Sequence, residues 1–541
     1  MTRSSVARRI AIAVSALATS GLAATAAEAP APVRSCESLA TLSLPHAALA
    51  TAARVDAGSF ATPDGQSINS LPAFCRVAGV LSPTSDSHIE FEVWLPAAGW
   101  NGKLQGIGNG GLAGSVRYEE LGLAVSHGYA AAATDTGHKG SAIDGKWALG
   151  HPEKIVDFGH RAIHETVVAA KAIVAAFYGA AARRAYFAGC SNGGRQALME
   201  AERYPEDYDG LVAGAPAASW TGLFAGFVWD AQALADAAAH VPPAKLKALE
   251  SAVVAACDRR DGVADGVLAD PIACRFDPHT IVCKSQDASD CLAPAQADAL
   301  AKIYSGPTAR DGRHAFPGFP PGAETGPGGW GLWITGPTPG KSLQAIFATQ
   351  IGAYMVFDRP DWDLLTYSYE RDQPQVEARL AGSLNATNPD LGAFHKRGGK
   401  LIVFHGSNDP ALPVQGTIDY VESVRALLGR DATDSFLRLY LLPGLQHCFG
   451  GPGASFCGGL SVPLGAADHD FSAALERWVE EGVAPGTLIA VKPTEGASLA
   501  TLASAAASAT VRRPLCPHPQ AAVYKGEGSP DDPANFRCQA H

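Results

Sequence analysis

The sequence predicts an α/β fold: a parallel sheet with crossover helices, interrupted by one long insertion. Three observations predict it. Short apolar runs alternate with helical patterns from about residue 88 to residue 213, and again from Lys400 onward. One of these runs passes through Gly189-Cys190-Ser191-Asn192-Gly193 directly into a helix. Between the two alternating regions, from about Ala217 to Ala393, the rhythm is lost. A chain of 541 residues exceeds one plain domain, so a core carrying a large insertion is the expected solution.

The composition, 47 % hydrophobic and 18 % charged, suits a globular chain with a sizeable core. A formal net charge of −11, with no basic run in the mature chain, argues against nucleic acid as a partner. At the start, Arg3, Arg8 and Arg9 precede the apolar run Ile10 to Leu22, and Ala24-Thr25-Ala26 fits a cleavage site. Residues 1–27 therefore read as a signal peptide. The run falls short of the ~20 residues a membrane helix needs, and no later stretch approaches a span. Arg8-Arg9 lacks the usual company of a twin-arginine signal, so general secretion is expected. The mature protein is expected to be soluble, secreted or periplasmic.

Eleven cysteines agree with an oxidising compartment. Their separations suggest Cys36 with Cys75, Cys257 with Cys274, Cys283 with Cys291, and Cys516 with Cys538. The odd count leaves one thiol over, for which Cys457 is the candidate. No paired C-x-x-C units support a metal–thiolate site.

Residues 36–87 read as loop-rich. His88 to Leu95 alternates as a half-buried strand should, and Lys103 to Ile107 forms a second strand ending in the glycine cluster Gly108 to Gly114. Tyr129 to Ala133 is a third. An alanine-rich helix is expected from about Phe158 to Tyr178, then a strand over 184–189, a helix over 193–203 and a strand over Leu211 to Ala213. The insertion holds four cysteines, an acidic loop and many aromatics. Beyond it come the strand starting at Lys400, a helix from about Val414, the strand Phe436 to Leu442 and the helix Phe471 to Glu481. The tail past Thr487 reads as loop and strand.

Strand, tight turn and helix around Ser191 are the context that a nucleophilic serine in G-x-S-x-G requires. A serine needs a base, and the base needs an orienting carboxylate, on loops beyond later strands in the order Ser, Asp, His. The strand at 400–405 ends in Gly406-Ser407-Asn408-Asp409, and the strand at 436–442 ends in Pro443-Gly444-Leu445-Gln446-His447. Ser191, Asp409 and His447 are therefore the candidate triad. His138 and His164 read as structural. Cysteines adjoin nucleophile and base. If Ser191 and His447 share a hydrogen bond, Cys190 and Cys448 come within the ~4.4–6.8 Å Cα separation a disulfide tolerates. Two unrelated buried thiols are the plain alternative. The loop Asp258 to Val267 spaces Asp258, Asp261 and Asp265 with two glycine turns, which suits calcium, though a solvated acidic turn fits the same residues. Its bracketing by Cys257 and Cys274 favours a structural clip far from the chemistry.

These residues together resemble the tannase and feruloyl esterase family. The resemblance is carried by Gly189 to Arg195, Tyr208 to Pro216, the Asp258–Val267 loop and Leu442 to Cys448, and spans nearly the whole mature chain. It implies an α/β-hydrolase core over residues 28–216 and 394–541, with a lid domain over 217–393 inserted after the nucleophile helix. It also implies a Cys190–Cys448 disulfide and a structural Ca2+ held in the lid by Asp258, Asp261, Asp265 and the carbonyls of Val263 and Val267. The oxyanion hole would be the N–H groups of Gly111 and Asn192. A hydrolase of mono(2-hydroxyethyl) terephthalate belongs to the same family. It carries an acidic residue where this chain has Asn192, and its lid arginine has no convincing match around Gly340 to Tyr354.

The expected function is a secreted serine esterase acting through an acyl-enzyme on esters of ferulic, related hydroxycinnamic or gallic acids. The substrate is a small aromatic ester, including one attached to plant polysaccharide. The lid aromatics Phe319, Trp330, Trp333, Tyr354, Phe357 and Trp362 are candidates for its ring slot. Alternatives are a terephthalate-type monoesterase, with Lys341 or Arg313 gripping the acid, and an acyltransferase with the same triad. A calcium-stabilised phenolic-binding protein with a dead triad is the alternative of another class.

Overall fold

The computed structural model describes Met1 and residues 31–540, apart from positions 313, 460–463, 495 and 498–500. The expected signal peptide, residues 1–27, and Arg313 thus lie outside the described residues. The centre of the molecule is a nine-stranded sheet of β1 (Ala47–Val55), β2 (Phe74–Leu81), β3 (Ile89–Pro96), β4 (Lys103–Ile107), β5 (Ala130–Thr134), β6 (Arg184–Cys190), β7 (Gly210–Gly214), β8 (Lys400–Gly406) and β9 (Leu437–Leu442). Their spatial order is β1-β2-β3-β5-β4-β6-β7-β8-β9. The first three strands and β5 pair antiparallel, and β5 onward the ladders are parallel.

The parallel strands read as continuous apolar runs because both of their faces are covered. On β7, Leu211 and Ala213 face one layer and Val212 the other. On β8, Leu401 and Val403 face the first layer, while Ile402 and Phe404 face the second. The first layer is built by helices α1 (Ala162–Tyr178), α2 (Asn192–Arg203) and α3 (Val414–Leu428), and the second by α4 (Phe471–Glu481). Asp470 caps α4, accepting from the N–H groups of Ser472 and Ala473 at 2.8 and 3.0 Å.

The chain leaves the sheet after β7 and returns at β8, its immediate neighbour, so the intervening residues are an insertion at one point of the sheet. The two ends of the insertion meet: the N–H of Ala386 donates to the carbonyl of Ala218 at 2.9 Å. It packs as two apolar clusters. One, around Phe224, Phe347, Met355 and Trp362, rests on Leu112, Ala411 and Leu412 of the sheet loops. The other, around Leu249, Leu300, Ile303 and Trp330, lies within the insertion.

One expectation fails. Residues 36–87 hold β1 and β2 plus a hairpin of Gly58–Ala61 with Ser67–Leu71, where loop was expected. β1 reads AALATAARV, alanine-rich and without a clear alternation, and it is a strand because β2 offers it an edge. β2 does alternate, with Cys75, Val77, Gly79 and Leu81 turned to the core, and carried a readable signal. The tail forms two antiparallel strand pairs, 488–491 with 512–515 and 520–524 with 536–540.

Candidate active site

Ser191 follows the last residue of β6 and precedes the first residue of α2, with φ +64° and ψ −119°. A non-glycine residue held there costs on the order of 1–3 kcal/mol. The surroundings hold it: Ser191 N–H donates to Gly214 O at 2.9 Å, and Ser191 O accepts from Ala217 and Arg195 N–H groups, both at 3.1 Å. The flanking glycines are required by close approach. A Cβ on Gly189 would lie 2.6 Å from the carbonyl carbon of Gly193, and one on Gly108 would lie 2.9 Å from the Cα atoms of both. The glycine loop after β4 therefore presses directly on the serine turn.

Asp409 and His447 come together from the loops after β8 and β9. His447 Nδ1 bonds to Asp409 Oδ2 at 2.7 Å. The other carboxylate oxygen accepts the N–H groups of Ala411 and Leu412 at 2.8 and 2.9 Å. A second histidine, His405, places its Nε2 3.2 Å from the same Oδ2 and its Nδ1 2.8 Å from Thr417 Oγ1. Burial pushes the Asp409 carboxyl upward, but the His447 charge and the hydrogen bonds of His405 and His447 outweigh it and hold Asp409 well below the usual carboxylate range. The acid is thus ionised, partnered on both oxygens and engaged to Nδ1 of His447, which leaves Nε2 for another partner.

Gly111 stands at φ +54°, with the space for a Cβ taken by the carbonyl of Ala142. Asn192 opens α2, where a backbone N–H has no acceptor within its own helix. Both line the same cavity as Ser191 and His447. The glycine loop is tied to α2 by Gln196, which accepts from Asn109 N–H at 3.1 Å and donates to Asn109 Oδ1 at 3.2 Å. Arg195 is fully buried, and among the described residues no carboxylate pairs with it. Its guanidinium donates to Asn192 Oδ1 at 2.6 and 2.9 Å and to the carbonyls of Gly159 and Phe158, between the rings of Phe158 and Trp220. Burial, with the nearby Arg203 charge, lowers its pKa to about 9. The sequence motif contains Arg195, yet nothing in it singles that residue out.

Cys190 and Cys448 form a disulfide with Cα atoms 6.1 Å apart, joining the serine turn to the histidine loop. Disulfides also join Cys36–Cys75, Cys257–Cys274, Cys283–Cys291 and Cys516–Cys538, and Cys457 is a buried free thiol.

Above Ser191 lies a cavity of about 1270 Å3. Of the six insertion aromatics that were candidates to line it, many of which had to be core of the insertion, Trp333 does so. Phe319 and Trp330 are buried within the insertion's own cluster, and Tyr354, Phe357 and Trp362 pack in the other, Phe357 stacked on Trp362. Trp220, Phe227 and Phe347, on other helices of the insertion, line it as well. Two cations, Arg117 and Lys492, also line the cavity. Arg117 is paired with Glu120, and Lys341 is exposed outside the lining.

The acidic loop is less remote than expected. A Cβ on Gly444, three residues before His447, would lie 2.9 Å from Val267 Cγ1, and Leu268 packs beside Gly322. Asp258 and Asp261 are pushed up by burial and by the neighbouring carboxylates, so the loop carries negative charge short of compensation. That donor chemistry suits a hard cation. As placed, however, Asp258, Asp261 and Asp265 accept the N–H groups of Gly266, Val263 and Val267, and Asp265 also meets Arg513 at 2.7 Å. Among the described residues no group of three His, Cys, Asp or Glu side chains converges on one ion position.

His138 and His164 are packing residues. His138 stacks on Trp147 and bonds Leu112 O at 2.9 Å, and burial brings its pKa down to about 4. His164 pairs with Asp207 at 2.6 Å and stacks on Tyr204.

Comparison with known proteins follows the same lines. The family model described as tannase and feruloyl esterase matches residues 75–539. An uncharacterized esterase of Xanthomonas campestris pv. campestris is 41 % identical over 532 residues, covering 93 % of this chain and 91 % of the relative. A probable feruloyl esterase B-1 of Aspergillus terreus is 32 % identical over 477 residues, 86 % of each chain. Among solved structures, feruloyl esterase B from Aspergillus oryzae superposes with a TM-score of 0.85 at 29 % identity, covering 93 % of this chain and 99 % of that one. Tannin acyl hydrolase from Aspergillus niger shares the fold, with a TM-score of 0.69 at 23 % identity over 92 % and 91 % of the two chains. With an α/β-hydrolase fold and ester-hydrolase relatives along its length, the chain belongs to the tannase and feruloyl esterase family and is a carboxylic ester hydrolase.

Proposed function

We propose that the protein is a secreted serine esterase that hydrolyses esters of hydroxycinnamic or gallic acids through an acyl-enzyme. The carrying observation is the buried Asp409–His447 pair sharing one cavity with the strained Ser191 turn. Ser191 Oγ attacks the ester carbonyl while His447 Nε2 takes its proton. The oxyanion meets the N–H groups of Gly111 and Asn192, a donor of this kind being worth ~10²–10³ in rate. His447 returns the proton to the departing alcohol. It then draws a proton from water, whose oxygen releases the acid and restores Ser191.

The insertion serves as the lid, closing the cavity with Trp220, Trp333 and Phe347 around a phenolic ring. Export is supported by the basic and apolar start of the sequence and by five disulfides. A structural Ca2+ would be held by the loop of Asp258, Asp261 and Asp265 with the carbonyls of Val263 and Val267, where it would offset the burial and repulsion that hold Asp258 and Asp261 up. A second reading, an aromatic monoester carrying a free carboxylate, is favoured by Lys492 in the cavity lining.

The test is covalent labelling of the wild type by a fluorophosphonate, with turnover measured for Ser191→Ala, His447→Ala and Asp409→Asn. Labelling at Ser191 and losses of several orders of magnitude in kcat are expected, Asp409→Asn acting through the imidazole tautomer. Near-normal turnover by pure Ser191→Ala protein would sink the assignment.

A further inference from the structure

Two side-chain amides stand immediately before the acid and the base, and both reach into the insertion. Asn408, next to Asp409, is 3 % exposed. Its Nδ2 donates to the carbonyls of Pro321 and Gly322 at 3.1 and 2.8 Å, and its Oδ1 accepts the N–H of Gly444 at 3.1 Å. Gln446, next to His447, has no exposed surface. Its Nε2 donates to the carbonyls of Ala323 and Thr325 at 2.9 and 2.7 Å. Because all four insertion partners are carbonyls, which only accept, the orientation of both amides is fixed by chemistry.

The stretch 321–325 is itself anchored within the insertion. Thr325 gives its N–H and hydroxyl to the two oxygens of Glu250 at 2.6 and 2.9 Å, on the helix Pro243–Cys257. Glu324 Oε1 accepts the Gly322 N–H at 2.7 Å and the Tyr304 hydroxyl at 3.0 Å. On the sheet side, Asn408 N–H also donates to Leu445 O at 3.2 Å, so the acid loop, the base loop and the insertion meet at one residue.

We propose that Asn408 and Gln446 are positioning residues, through which the insertion holds Asp409 and His447 in register. The proposal rests on the serine-esterase reading and adds to it that the insertion assembles the acid–base pair as well as covering the substrate. Each amide is one peptide from the residue it positions, so a shift of the 321–325 backbone is passed on with little slack. A misplacement of about 1 Å in reacting groups costs on the order of 10² in rate.

The test uses full-length Gln446→Met and Asn408→Leu, which keep side-chain volume and remove the donors. Kinetic constants are measured on p-nitrophenyl acetate and methyl ferulate, together with the rate of Ser191 labelling by a fluorophosphonate and the thermal melt. The small acetyl ester makes little use of the aromatic chamber, so it separates base positioning from substrate binding. Each folded variant is expected to lose at least about tenfold in kcat on both esters and in labelling rate, with KM within about threefold. Unchanged kcat on the acetate overturns the proposal, including the case where KM for the ferulate rises, because the amides would then only shape the chamber. Should either variant fail to fold, Glu250→Gln and Thr325→Val loosen the same stretch from its far side while leaving both amides. Unchanged kcat on the acetate in those variants overturns it equally. Ser191→Ala run in parallel keeps the two claims apart: an active Ser191→Ala fells the esterase reading, whereas an inactive one beside unimpaired amide variants fells this proposal alone.

Discussion

Trp333 of the insertion meets His447 edge to face, with ring centroids 4.8 Å apart and planes at 75°. One ring of the insertion therefore touches both His447, the proposed general base, and the cavity over Ser191. Such aromatic contacts contribute ~0.5–1.5 kcal/mol beyond the area they bury. Trp333→Ala is expected to lower kcat/KM for methyl ferulate by about tenfold or more, from loss of the ring wall and freer motion of the imidazole. Trp333 is only half-buried, so the melting temperature should stay within a few degrees. A large drop in stability with unchanged kinetics would make it a packing residue alone.

The Cys190–Cys448 bridge fastens the turn that carries Ser191, the proposed nucleophile, to the loop that carries His447, the proposed base. Cross-links of this kind contribute ~2–5 kcal/mol to stability, and on the proposed mechanism this one would also hold Ser191 and His447 at their working separation. A Cys190→Ala/Cys448→Ala protein, assayed well below its melting temperature, should lose activity out of proportion to its folded fraction. Cys283→Ala/Cys291→Ala, whose bridge spans eight residues within the insertion, is the comparison. Equal fractional losses in the two double variants would reduce the catalytic bridge to a staple.

Legibility in the sequence follows the range of the forces involved. The parallel strands and the serine turn were readable because double-sided burial and a glycine-flanked turn leave local signatures. β1 was not, since its alanine-rich segment is a strand by virtue of its neighbour. The same distinction runs through the site. Asp409 and His447 end apolar strands and could be found by order along the chain, whereas Asn408 and Gln446 matter through carbonyls over 80 residues away in sequence. Which of the insertion's aromatics would line the cavity was not legible for a related reason: which face of an insertion helix looks inward is decided by its packing, and composition does not carry that.

Acid sensitivity is expected from two histidines, the half-buried His160 near Arg195 of α2 and the buried His138. His160 donates to or accepts from Tyr204 at 2.7 Å, and burial followed by the charges of Arg203, Arg195 and Arg161 lowers its pKa to about 3. Its unfolded value is ~6.5. Between those values the unfolded chain takes a proton that the native state refuses, so stability is complete above pH ~6.5 and falls as pH drops toward 3. His138 acts in the same direction down to about pH 4. His160→Gln keeps a hydrogen-bonding side chain and removes the titration, so its melting temperature should fall less than that of the wild type between pH 7 and pH 4. Parallel curves would show that His160 is protonated in the native state.

The acidic loop makes a joint prediction about stability and catalysis. If Asp258, Asp261 and Asp265 share a calcium ion, chelation should lower the melting temperature and added calcium restore it, since the ligand binds only the native state. Because Val267 packs against Gly444 and Leu268 against Gly322, kcat should fall in step, at temperatures where the protein remains folded. An unchanged melt after verified metal removal would leave the loop as a solvated turn clipped by Arg513.

Substrate choice turns on the balance between the rings and the cations of the chamber. Trp220, Phe227, Trp333 and Phe347 line the cavity with apolar rings, against which the proposed feruloyl group would pack. A terephthalate monoester would bring its free carboxylate into the same space, and burying it without a partner costs several kcal/mol, each ~1.4 kcal/mol being tenfold in specificity. Arg117 is already engaged by Glu120, which leaves Lys492 as the cation best placed to change the outcome. Methyl ferulate is expected to exceed mono(2-hydroxyethyl) terephthalate in kcat/KM by at least about tenfold. Lys492→Met should leave the ferulate value within about threefold. If the two esters instead prove comparable, and Lys492→Met selectively removes activity on the terephthalate, then Lys492 grips the acid and the anionic monoester becomes the better description of the substrate.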